Sequence, residues 1–68
     1  MFELQALLDL PSNTEMHSLF EGGGAEVHRI HDIWVLFEVP LFGGAPQYAG
    51  TFRESELPEM LNLISTWT

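Results

Sequence analysis

The chain reads as a small α+β domain, a three-stranded antiparallel meander with a C-terminal helix and one or two short N-terminal helices, in the order α-α-β-β-β-α. Three observations predict this. Apolar residues recur at helical spacing near both ends of the chain. The middle run IWVLFEVPLF alternates two sets of side chains, as a strand does. Turn-forming pairs, His31–Asp32 and Gly43–Gly44, bracket that run.

The first segment, FELQALLDL, spaces Phe2, Ala6 and Leu10 four apart, and Leu4, Leu7 and Leu8 widen the apolar face. Pro11 ends it, because the residue before a proline is disfavoured in helical conformation. In PSNTEMHSLFEGGG, Ser12 followed by Glu15 matches a capping box, and Thr14 is a second candidate cap. Met16, Leu19 and Phe20 then fall on one side of a second short helix, which Gly22–Gly23–Gly24 would terminate. AEVHRI is the first expected strand, and His31–Asp32 its turn.

From Ile33 two faces alternate. Ile33, Val35, Phe37, Val39 and Leu41 make one; Trp34, Leu36, Glu38, Pro40 and Phe42 make the other. QYAGTF returns as the third strand, and Pro40 and Pro46 loosen the pairing beside the turn by removing backbone donors. The closing segment ESELPEMLNLISTWT is the clearest helix. Ser55 is its expected N-cap, Pro58 falls in the first turn, and Glu56 and Glu59 suit the positive end of the helix dipole. Leu57, Met60, Leu61, Ile64 and Trp67 form its apolar stripe.

The first face of the middle strand, wholly apolar, is expected to take the C-terminal helix. The second leaves Trp34, Leu36 and Phe42 to be covered by the N-terminal helices or by another copy of the chain. A chain of 68 residues hides only about 60% of its unfolded surface, and without cysteines it has no disulfide staple. The expectation is therefore a homodimer built on Trp34, Leu36 and Phe42, with Glu38 wet at its rim.

Charge narrows the function. Ten acids face two arginines, Arg29 and Arg53, with no lysine, for a formal charge of −8. Such a surface repels nucleic acid and anionic lipid and attracts basic protein surfaces. No apolar run reaches the ~18–20 residues of a membrane span. The start, with Glu3 and Asp9 and no basic residue, does not resemble a signal peptide, so a cytoplasmic location is expected.

Chemistry-bearing patterns are few. His28-x-x-His31-Asp32 offers metal-ligand types, but residues three apart on a strand point to opposite faces, and His17 lies on another element; no metal or other cofactor is expected. No serine sits in a nucleophile elbow, and Glu54, Glu56 and Glu59 are better explained by a helix start than by acid–base catalysis. EGGGAE and FGGAP match no phosphate-binding loop. The expected protein is not an enzyme.

What remains is the acidic surface. Glu26, Asp32, Glu38, Glu54 and Glu56 are the candidate contacts to a basic partner, with a nucleic-acid-binding or defence protein as the expected kind. In size and charge the whole chain resembles the short acidic proteins that phages and mobile elements encode against host defence enzymes, including anti-CRISPR proteins. That resemblance implies an inhibitor acting in the host cytoplasm by imitating nucleic-acid charge. Two other classes fit the sequence. One is a sequestering protein with a small-molecule pocket between subunits, lined by Trp34, Tyr48 and the glycine turn; the other is an oligomer-forming structural component.

Overall fold

The computed structural model describes residues 2–67. Its elements run α1 (Leu4–Asp9), β1 (Thr14–Phe20), β2 (Gly23–Ile30), β3 (Ile33–Pro40), β4 (Gln47–Arg53) and α2 (Leu57–Ser65), and a single 3₁₀ turn at Glu54–Glu56 leads into α2. The strands form one antiparallel sheet in the order β1-β2-β3-β4. The α+β class and the C-terminal helix agree with expectation. The sheet has four strands instead of three, and of the one or two N-terminal helices expected the described residues form one.

The extra strand is the segment expected to be the second helix. β1 pairs with β2 from Thr14↔Arg29 to Phe20↔Gly23. Met16, Ser18 and Phe20 are half-buried, while Glu15, His17 and Leu19 are exposed, a period of two. A helix of that length is marginal in water, whereas a strand gains a full ladder from its neighbour. The corner before it is fastened locally. Asn13 takes the left-handed conformation at φ 62°, its N–H donates to the Arg29 carbonyl at 2.7 Å, and the Thr14 hydroxyl donates to the Pro11 carbonyl. The glycines do not end a helix. Glu21 and Gly22 turn the chain between β1 and β2, and Gly23, at φ +145°, opens β2. A Cβ on Gly23 would lie 2.6 Å from the Val39 carbonyl oxygen, so the backbones approach as only glycine allows.

The helices cover the opposite face of the sheet from the one expected. Trp34 and Leu36 of β3 and Ala25 and Val27 of β2 are buried with Phe2, Leu7, Leu57, Met60 and Ile64 in one cluster. Ile33, Val35, Phe37 and Val39 are only half-buried. The expected oligomer contacts Trp34 and Leu36 are therefore core residues, and only Phe42, 96% exposed in the loop after β3, remains on the surface. The indole N–H of Trp34 distinguishes the two apolar faces. The helix-covered face holds the tryptophan, whose indole N–H donates to the Leu7 carbonyl at 2.9 Å, a buried bond that α1 supplies.

Arg29, paired with Trp34 across β2 and β3, completes this anchor. Its guanidinium lies 4.6 Å from the Trp34 ring centroid. Nη1 donates to the Leu8 carbonyl at 3.0 Å and to the Leu10 carbonyl at 2.7 Å, and Nε donates to the His31 carbonyl at 2.8 Å. A six-residue helix has more unpaired terminal carbonyls than internal bonds to offset them, and one side chain satisfies two of these. At the other end of the chain, Ser55 does not cap α2. The 3₁₀ turn intervenes, and the Glu56 carboxylate accepts from the Arg53 N–H at 3.0 Å.

Ile64 is fully enclosed and Leu61 half-buried, although both lie on the apolar side of α2. Ile64→Ala should lose about 2–5 kcal/mol in chemical denaturation, and Leu61→Ala distinctly less. Arg29→Met should lose about 1–3 kcal/mol by leaving part-buried carbonyls without a donor; an unchanged denaturation midpoint would show that water serves them equally well.

Candidate functional site

The face of the sheet turned away from the helices carries the candidate site. Register places its side chains. Glu15 stands opposite His28, which stands opposite Val35, which stands opposite Thr51; in the next row are His17, Glu26, Phe37 and Tyr48. A bulge between Leu36 and Phe37 shifts the β4 partners by one, so that Tyr48 and Thr51 share this face and their hydroxyls meet at 2.8 Å. The rows thus run from a polar side on β1 and β2 to an apolar and aromatic side on β3 and β4.

The aromatic side is ordered by edge contacts. The His28 ring meets Phe37 at 5.3 Å between centroids, and Phe37 meets Tyr48 at 6.1 Å, both close to perpendicular. Beside them Glu26, His28, Ile30, Val35, Phe37 and Pro46 line a depression of about 430 Å³, open to solvent. Half-buried apolar side chains with one wet edge form a surface suited to contact.

The polar side is a square of two glutamates and two histidines with alternating corners. His17 Nε2 lies 3.4 Å from Glu15 Oε1, and His17 Nδ1 lies 3.5 Å from Glu26 Oε2. His28 Nδ1 lies 3.2 Å from Glu15 Oε2, while His28 Nε2 is hydrogen-bonded to Glu26 Oε1. Sequence reading missed this group because it took His17 to be on a helix. Its signature is nonetheless plain: Glu15-Met16-His17 and Glu26-Val27-His28 are the same E-x-H pattern on two strands joined by a tight turn. His31, by contrast, lies in the β2–β3 turn at φ 52°, so the spacing His28-x-x-His31 does not bring two ligands onto one strand face.

The five carboxylates expected to contact a partner do not form one patch. Glu26 belongs to the square on the uncovered face. Asp32, in the β2–β3 turn, and Glu54, in the 3₁₀ turn, line a shallow depression with Arg53 and Ser55, and Glu56 follows in the same turn. Glu38 is exposed near the far end of β3, about 20 Å from Asp32 along an extended chain. It pairs with buried Ala25, which puts it on the helix-covered side of the sheet although it is itself exposed. Among the described residues, every ion pair of a carboxylate is to a histidine. No described helix is long and apolar enough to cross a membrane.

No protein-family model, curated protein or solved structure matches the chain.

Exposure separates two aromatic residues that sequence reading had grouped. Phe42→Ser should change stability by less than about 0.5 kcal/mol, as expected for a side chain in solvent. Trp34→Ala should lose about 3–5 kcal/mol. Thermal melts of the two variants check both, and equal effects would mean that Phe42 is packed.

Proposed function

We propose that this protein is a non-enzymatic binding module that occupies a basic surface of a partner protein, and so acts as an inhibitor of a nucleic-acid-processing enzyme. The observation that carries the reading is the near absence of compensating positive charge. Ten carboxylates outnumber two arginines, and Arg29 is tied in place by backbone carbonyls and the Trp34 ring, so among the described residues it pairs with none of them. A field of that kind accelerates encounter with a basic partner and excludes acidic ones.

The uncovered sheet face supplies the complementary element. Phe37 and Tyr48 offer apolar contact, and Glu15 and Glu26 stand at its edge. A hydrophobic centre bounded by charge is the general anatomy of a protein interface. The phage-encoded inhibitors of host defence, anti-CRISPR proteins among them, are the class that size and charge suggest, and the cytoplasm is where such a partner is met.

The test begins by capturing partners from the native host's lysate and measuring the affinity of the purified pair. Raising salt from low to physiological strength should weaken binding about tenfold or more. Asp32→Lys with Glu54→Lys, and separately Phe37→Glu, should each weaken it further, while the charge reversals change stability by less than about 1 kcal/mol. Affinity indifferent to salt and to both sets of changes would refute the electrostatic reading. A symmetric dimer broken by Phe37→Glu, with no basic partner captured, would assign the face to self-association instead.

A further inference from the structure

We propose that the square formed by Glu15, His17, Glu26 and His28 binds one divalent transition ion of the zinc class. The inference is independent of the proposed partner and rests on four side chains that two strands bring together. One donor atom from each of Glu15, Glu26 and His28 already lies within 4.8 Å of the other two. His17 lies outside that trio but stands 3.4 Å and 3.5 Å from the two carboxylates, which makes it the candidate fourth donor once its ring turns inward.

The distances suit the ion. Zinc bonds to imidazole nitrogen and carboxylate oxygen are about 2.0–2.2 Å, so donors at the corners of a tetrahedron lie about 3.3–3.6 Å apart. Nitrogen–oxygen contacts of 3.2, 3.4 and 3.5 Å in the square are of that size, though they use both nitrogens of His17 and both oxygens of Glu15, so each side chain must turn one donor toward a common centre. Ring and carboxylate rotations bring the donors toward that centre, the paired strands already holding the four residues as neighbours. Two imidazoles with two carboxylates favour zinc, nickel or copper over calcium and magnesium, which take oxygen donors.

The backbone reinforces the site. Glu15 and His28 are direct cross-strand partners, as are His17 and Glu26, so like groups occupy the diagonals. Directly opposed residues on one face of paired strands have Cβ atoms about 4.5–5.5 Å apart, so the four side chains stand side by side within reach of one another. The two carboxylates repel one another there, and a central cation relieves both at once. His28 is held by its edge contact with Phe37, and Glu26 is largely buried, so two of the four ligands are already ordered. β1 is an edge strand paired only with β2, and an ion held by both would staple it to the sheet.

The test uses the full chain, stripped with chelator, and zinc chloride as the probe. Calorimetric titration should show one ion per chain, with a rise in melting temperature and slower amide exchange in β1. His28→Asn and Glu26→Gln should each weaken binding by about tenfold or more, whereas His31→Asn should leave it unchanged. If a variant fails to fold, imidazole proton shifts of the unmodified protein decide the matter, since zinc should move His17 and His28 and spare His31. Absence of saturable uptake, affinity that survives His28→Asn, or shifts centred on His31 would each overturn the site.

Discussion

The fold hangs on a paired tryptophan and arginine. Trp34 and Arg29 face each other across β2 and β3, stacked, and between them they donate to the carbonyls of Leu7, Leu8 and Leu10. Without them α1 is a six-residue helix with no side-chain cap at its start, too short to persist alone. With them it is fixed across the sheet, and Leu7 and the preceding Phe2 enter the core against α2. The clasp also holds one of the two arginines half-buried and fixed in place against the sheet.

The same pair explains what the sequence disclosed and what it withheld. The alternation from Ile33 to Pro40, the turn at His31–Asp32 and the stripe Leu57, Met60, Ile64 were all legible, because each is local and periodic. Which face of β3 meets the helices was not. Both faces are apolar, and the deciding term is the indole N–H of Trp34, which needs an acceptor that a distant segment provides. Thr14–Phe20 was misread for a related reason. Seven residues hold too few periods to separate helix from strand, and the local cap signal at Ser12 and Glu15 yielded to pairing with β2. That one error concealed the site. Two E-x-H segments mean little on a helix and a strand, but on adjacent strands they form a square.

Concentrating polar groups at one edge of the sheet and aromatic groups toward the other gives the uncovered face a direction. β1, the edge strand, presents Glu15 and His17, charged or polar side chains that discourage another strand from adding there. The interior of the face, Val35 and Phe37, has no such protection and is half-covered only by its neighbours. The polar border is broken only at the far end of β1, where Leu19 is 83% exposed.

The strictly sequential order of the strands has a kinetic consequence. β1–β2 and β2–β3 are joined by two-residue turns, so most pairing involves residues close in the chain, and topologies of this kind fold quickly. The helices are the exception, since α1 must reach β3 from a position 27 residues earlier. Hairpins should zip first and the helices dock last, with unfolding proceeding in reverse. The indole of Trp34 sits at the junction of those two stages, dry only once docking is complete. In a Trp67→Phe variant, the fluorescence of Trp34 would therefore report the late event while far-ultraviolet dichroism reports the early one, and a delay between the two signals would give the order of assembly.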